Sequence, residues 1–278
     1  MANNNLPQLK STLNAPSVKA KFEEMLGKRA PQFMTSITSV VQNNSLLQKA
    51  DVNSIVMGAA IAASMDLPLN SNLGYAALVP FNSKEGCFAQ IQIMAKGWTE
   101  LFLRSGQCQS IINEVVYEGQ LVKKNKFTGE YVFDEEAKKS DKIIGFMAYF
   151  RLTNGFEKYD YMSIEEVKEH AQRFSQTYRK GSGIWKDHFS AMGCKTVLKR
   201  LLTKYAPKSI EMQQMAMFDQ SVVNGNLSDI DNATPNYMDN QKDEQEVEDF
   251  QEAEVIEEPK EEPQPAPQVQ PQQDDDDF

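Results

Sequence analysis

The chain has 278 residues, of which 29 are Lys or Arg and 39 are Asp or Glu, a net charge of −10. Its three cysteines, Cys87, Cys108 and Cys194, are odd in number and far apart, which argues against a disulfide framework and for a reducing, cytoplasmic setting. The polar start MANNNLPQLK has no apolar stretch of a signal peptide, and no apolar run approaches the ~18 residues of a membrane span.

The acidity sits at one end. Residues 237–278 hold sixteen acids against two lysines, which leaves 27 basic and 23 acidic residues in 1–236. The pI of about 4.9 therefore describes the tail, and the body is mildly basic.

Residues 1–16 are polar and Asn-rich and are expected to be disordered. A helix follows over 17–26, with Val18, Phe22, Met25 and Leu26 on one face and Gly27 just past its end. Pro31 suits a first helical turn, and Phe33, Ile37, Val40 and Val41 continue at helical spacing. Asp51 reads as the N-cap of an apolar, Ala-rich helix over 52–64, which residues 66–72 break. Two strands, 73–81 and 87–93, are joined by a glycine-containing loop over 82–86, a hairpin. Alternation puts Ala89, Ile91 and Ile93 on one face of the second strand and Phe88, Gln90, Gln92 and Met94 on the other.

A helix over 94–104 turns Trp98, Leu101 and Phe102 inward and leaves Lys96 and Arg104 free. Further strands are expected over 111–117 and 142–152, separated by a charged loop over 123–139, with a short one over 156–161. Ser163 and Glu166 form a capping box that opens a helix to about residue 174. A last helix spans 184–205 and stops before Pro207. From residue 220 onward Asn, Asp, Glu, Gln and Pro dominate, the composition of a chain that stays disordered. The expected architecture is α+β: a helical N-terminal part, a small antiparallel sheet or hairpin with packed helices, and an acidic tail. The expected division is 1–16, a folded domain over 17–219, and a tail over 220–278.

Catalytic patterns are missing. No G-x-x-x-x-G-K-[ST] phosphate loop or G-x-S-x-G elbow occurs, and the two histidines, His170 and His188, stand without cysteines at metal-ligand spacing. Acid pairs such as Glu135 with Glu136 and Glu165 with Glu166 read as solvated charge. A non-enzymatic protein with no metal or cofactor is expected.

Residues 171–208, by contrast, contain nine Lys or Arg and one acid, Asp187, interleaved with Phe174, Tyr178, Trp185, Phe189 and Tyr205. Cations suit a phosphate backbone and exposed rings suit unstacked bases. On a continuous helix, Phe189, Gly193, Val197, Leu201 and Tyr205 form a core stripe. Lys195 with Lys199, and Arg200 with Lys204, then lie one turn apart, ~5–6 Å, on other faces. A solvated helix face explains the same pattern, but such faces usually mix both signs. Arg173, Arg179 and Lys186 belong to the same basic segment. Trp185 fits either a core position or a base-stacking one, and Gln90 and Gln92 either a phosphate contact or a solvated sheet face.

Four stretches carry a resemblance: Leu26-Gly-Lys-Arg-Ala-Pro-Gln-Phe33; the block from Asp66-Leu-Pro-Leu-Asn to Leu78-Val-Pro-Phe81; Gln90-Ile-Gln-Ile-Met-Ala-Lys-Gly-Trp98 followed by Leu103-Arg-Ser-Gly106; and Trp185-Lys-Asp-His188 followed by Met192-Gly-Cys-Lys-Thr196. Together, across about residues 17–210, these resemble the RecT family of phage recombination proteins, which anneal complementary single strands without ATP. Where the family often has Gly-Tyr-Lys-Gly, this chain has Ile93-Met-Ala-Lys-Gly97, so any role of that tyrosine does not carry over. The resemblance implies a β-β-β-α annealing core, a DNA groove between the hairpin sheet and the later helices, and assembly into rings or helical filaments. Implied partners are single-stranded DNA, the annealed duplex intermediate and a phage 5′→3′ exonuclease. By position, Gln92, Lys96, Arg104, Lys186, Lys195 and Lys199 are the groove candidates it implies.

The tail ends in Asp274, Asp275, Asp276, Asp277 and Phe278 after a Pro- and Gln-rich spacer. This is similar to the tip of bacterial single-stranded DNA-binding protein, which docks on replication and repair partners; a merely solubilising tail is the alternative. Two other functions stay open, a passive strand-protecting protein and a replisome adaptor acting through its tail.

Overall fold

A computed structural model describes residues 4–238, apart from Ser71, Lys126 and Ser182 and the side chain of Gln176. Among the described residues the protein is mixed α and β, with antiparallel sheets and helices on their faces. Four N-terminal helices come first: α1 (Leu6–Asn14), α2 (Pro16–Leu26), α3 (Ala30–Gln42) and α4 (Val52–Ser64). The Asp51 carboxylate caps α4 by accepting from the Ser54 N–H at 2.7 Å, as its position suggests. α4 is apolar all round because it is covered all round, by α2 on one side and by the first sheet on the other.

That sheet starts as the hairpin β1 (Ala76–Asn82) and β2 (Cys87–Ile93), paired from Ala76 opposite Ile93 to Asn82 opposite Cys87. α5 (Ala95–Arg104) follows and buries Trp98, Leu101 and Phe102. A three-stranded sheet is formed in the order β3–β6–β7, from β3 (Cys108–Tyr117), β6 (Ile143–Leu152) and β7 (Glu157–Ser163). Between β3 and β6 a hairpin of β4 (Leu121–Asn125) and β5 (Glu130–Phe133) seats Tyr131 and Phe133 on Tyr159 and Tyr161 of β7.

α6 (Ile164–Phe174) opens with both bonds of the Ser163–Glu166 capping box. Two short helical turns, α7 (Gln176–Arg179) and α8 (Ile184–Asp187), lead to α9 (Phe189–Tyr205), which lies across β6 and β7 and also touches α5. Gly193 lets this crossing come close: a Cβ there would stand 2.5 Å from the Phe146 ring, well inside contact distance. α10 (Ile210–Phe218) then leads into β8 (Ser221–Asn224) and β9 (Thr234–Asn236). These extend the first sheet to the order β1–β2–β8–β9.

Several expectations are corrected. The N-terminal stretch expected to be disordered forms α1, because Leu6, Leu9 and Leu13 share a face, with Leu9 and Leu13 buried. The charged loop over 123–139 contains most of the β4–β5 hairpin. The single helix expected over 184–205 breaks at His188, whose φ of −135° and ψ of 50° are not helical. Residues 220–236, expected to begin the disordered tail, supply two strands of the first sheet. The acidic segment beyond Met238, with Asp274 to Phe278, lies outside the described residues.

Candidate nucleic-acid interface

The basic helix α9 is buried on more than its stripe. Val197 and Leu201 face the core as the periodicity requires, but Leu198 and Leu202 are buried too, because α5 and the β3–β6–β7 sheet cover different sides of the helix. This changes the standing of the lysines. Lys195, expected to be free, is only 5% exposed, with its ammonium 4.0 Å from the Met94 sulfur. Burial pushes its pKa below the ordinary lysine value; Asp219 opposes the shift and Lys199 adds to it.

Lys199 holds the Asp219 carboxylate at 2.5 Å and lies 5.7 Å from the centre of the Trp98 ring. The other Asp219 oxygen accepts from the Ile93 N–H at 2.7 Å, and the carboxylate is fully buried. The chain delivers it there by a sharp turn. α10 ends at Phe218, Gln220 takes a left-handed φ of 67°, and its N–H donates to the Ile91 carbonyl at 2.8 Å as β8 joins β2. One acid from residues 210–224 thus neutralises the middle of α9.

Gln90 is corrected by the same segment. Gln90, expected on a solvent-facing strand face, stands opposite Val222 of β8 and is only 2% exposed, with its Nε2 without a hydrogen-bond acceptor. The indole N–H of fully buried Trp98 is likewise unpartnered. Gln92, opposite Ala77, stays half-buried.

Other candidates are engaged structurally. Arg200 grips Asp160 of β7 with two bonds of 2.6 and 2.7 Å and donates to the Tyr161 carbonyl. Burial opposes its charge, but the Asp160 carboxylate outweighs that and keeps the guanidinium ionised. Arg104 pairs with Glu100 and donates to the Met65 and Asp66 carbonyls, which fixes the loop after α4. Arg179 donates to the Gln172 and Arg173 carbonyls at the end of α6, and Arg173 lies over the Phe174 ring. Trp185 is core, packed against Tyr178, Phe189 and His170.

Exposed cations remain. Lys96 at the start of α5, Lys186 on α8 and Lys204 near the end of α9 are solvent-exposed and in no ion pair with a described carboxylate. The field around α6 and α9 is positive as well: burial, together with the charges of Lys199, Arg200 and Arg173, holds the His170 imidazole down at about 4. Among the described residues no group of three His, Cys, Asp or Glu side chains could hold a metal ion, and no helix is long and apolar enough to cross a membrane. Cys87, Cys108 and Cys194 are all free, and burial pushes the Cys194 thiol up to about 11.

A RecT family model matches residues 31–259. The chain is 44% identical over 206 residues to the uncharacterized protein YqaK of Bacillus subtilis (strain 168), covering 74% of this chain and 70% of that one. It is 29% identical over 250 residues to protein RecT of Escherichia coli (strain K12), covering 80% of this chain and 88% of that one.

Proposed function

Since this chain belongs to the RecT family, which carries single-stranded DNA binding, self-association and recombination by strand annealing, we propose that it pairs complementary strands without ATP and without a catalytic residue. The observation that supports this reading is the set of exposed cations Lys96, Lys186 and Lys204, in no ion pair with a described carboxylate, where the neighbouring Lys199 and Arg200 are held by Asp219 and Asp160. Their charge would hold phosphates while bases stay free to pair. In this reading β3, β6, β7 and α6 are the β-β-β-α annealing core, and the DNA groove runs between the hairpin sheet and the later helices. Gln92, with one side half-open, is a candidate wall of that groove. Lys195, Lys199, Arg200, Arg104 and Arg179 serve it by holding its frame.

The same reading assigns the protein to the cytoplasm of a phage-infected bacterium, beside a 5′→3′ exonuclease that exposes the strands, in ring or filament form. The acidic segment past Met238 would dock host single-strand-binding protein or its partners through Asp274 to Phe278.

A competition assay tests the proposal. Unlabelled strands of different sequence are expected to displace a labelled single strand about equally well, and duplex formed beforehand to displace it poorly. A strong preference for one base motif would point to a sequence-reading regulator and would contradict the proposal.

A further inference from the structure

Phe127 is 93% exposed, the most exposed of the large hydrophobic side chains in the described residues. A single apolar residue at the surface is ordinary. The way this one is held is not. The Asn125 side chain accepts from the Phe127 and Thr128 N–H groups at 3.1 and 3.3 Å, which fixes the turn. Behind it, Lys123 bridges to Glu130 across the hairpin, and Tyr131 and Phe133 anchor both to β7. The ring is thus held out into solvent by a braced hairpin.

What stands next to this turn is basic and aromatic. The Lys158 ammonium of β7 occupies the space into which a side chain at Gly129 would project, two residues after Phe127. The same ammonium lies 5.1 Å from the centre of the Tyr205 ring, at the end of α9, and the Lys204 ammonium lies 5.2 Å from that ring. Neither lysine is in an ion pair with a described carboxylate. A ring on a braced turn, a cation, a second ring and a second cation therefore follow one another along one edge of the molecule. β7 supplies this edge because it is the last strand of its sheet.

We propose that Phe127, Lys158, Tyr205 and Lys204 form a binding strip for unpaired bases of single-stranded DNA, with Phe127 stacking on a base and the two lysines holding the adjoining phosphates. The inference rests on the DNA-binding reading above and adds a site to it. A stacked base gains from the ring face whatever its identity, and cations one nucleotide away hold the backbone that carries it. The arrangement suits a strand whose bases are splayed, the state it must adopt before pairing.

The test uses the full chain with Phe127→Trp. The native Trp98 and Trp185 are buried, so emission accessible to acrylamide reports on position 127. Binding of an oligothymidylate is followed in parallel by the anisotropy of a labelled strand. The strip predicts that the emission of the new tryptophan is quenched and shielded from acrylamide as the strand binds. It also predicts that Phe127→Ala weakens binding about fivefold or more. Lys158→Ala with Lys204→Ala should lower the salt slope by about 1.4, two phosphate contacts of a single strand. If the strand binds while the tryptophan stays accessible and its emission unchanged, the strip is wrong and the DNA-binding reading survives. If no strand binds, both fail. If the tryptophan is already shielded before DNA is added, the turn is an interface between copies of the chain and the strip is again wrong.

Discussion

Replacing Asp219 by alanine is expected to lower the melting temperature by roughly 10 °C. Its carboxylate is fully buried and carries three tasks at once: it accepts from the Ile93 N–H, pairs with Lys199 and offsets the buried charge of Lys195. Removing one partner of a buried ion pair leaves the other uncompensated, at a cost of about 3–5 kcal/mol. Lys199 is partly exposed and can turn toward water, so the low end, about 3 kcal/mol, is the expected value. For a folded body of this size each kcal/mol is worth ~2–4 °C. Asp219→Asn keeps the shape and the Ile93 bond without the charge and should fall between wild type and Asp219→Ala. A thermal melt decides it; a change in Asp219→Ala below about 2 °C would mean that the cluster does not hold β8 and α9 together. The contrast with Lys195 is informative, because Lys195→Met replaces a desolvated ammonium by an apolar chain of similar length and should cost little or nothing.

The second large effect concerns binding. Lys96→Ala, Lys186→Ala and Lys204→Ala combined are expected to weaken single-strand affinity about 100-fold near 0.1 M salt, with an unchanged melting curve. The three side chains are exposed and in no ion pair with a described carboxylate, so their loss costs the fold little. Each phosphate contact contributes about 0.7 to the slope of log affinity against log salt; three contacts lower the slope by about 2, and the difference fades as salt approaches 1 M. Equilibrium titrations at several salt concentrations read both quantities. An unchanged slope would remove these lysines from the DNA path.

Local signals in the sequence carried much of the architecture. Asp51, Pro31 and the Ser163–Glu166 pair each act within one helical turn, and the structure places a helix start at each. β2 runs over Cys87–Ile93 as its alternation indicates, closed by the loop containing Gly86. What the sequence left hidden depends on distant residues. Buried Gln90 is paired across the sheet with Val222, more than a hundred positions away, and Ser221-Val-Val-Asn224 is too short to stand out from the polar composition that follows it. Lys195 lies off the apolar stripe of α9, yet α5 covers that side of the helix, and no periodicity within α9 contains this fact. Asp219 had no local signal either, since its role exists only when α10 turns back onto β2. The leucines of α1 were legible at helical spacing but were outweighed by the asparagines around them.

The same contrast divides the candidate interface. Charge clustering marked residues 171–208 as a basic region, and it could not separate cations that brace the body from cations in no ion pair with a described carboxylate. Arg200 and Lys199 are of the first kind because β7 and the α10–β8 turn bring acids to them; Lys186 and Lys204 are of the second. Lys158 and Phe127 were outside the segment altogether and come next to its end only through the edge of the second sheet.

The measurement closest to the central claim is the rate at which two dye-labelled complementary strands pair when mixed with the protein in the absence of ATP. A rate well above that of the strands alone is expected, lost in the Lys96, Lys186 and Lys204 triple variant. Binding that slows pairing, or a rate that rises only when ATP is supplied, would contradict it.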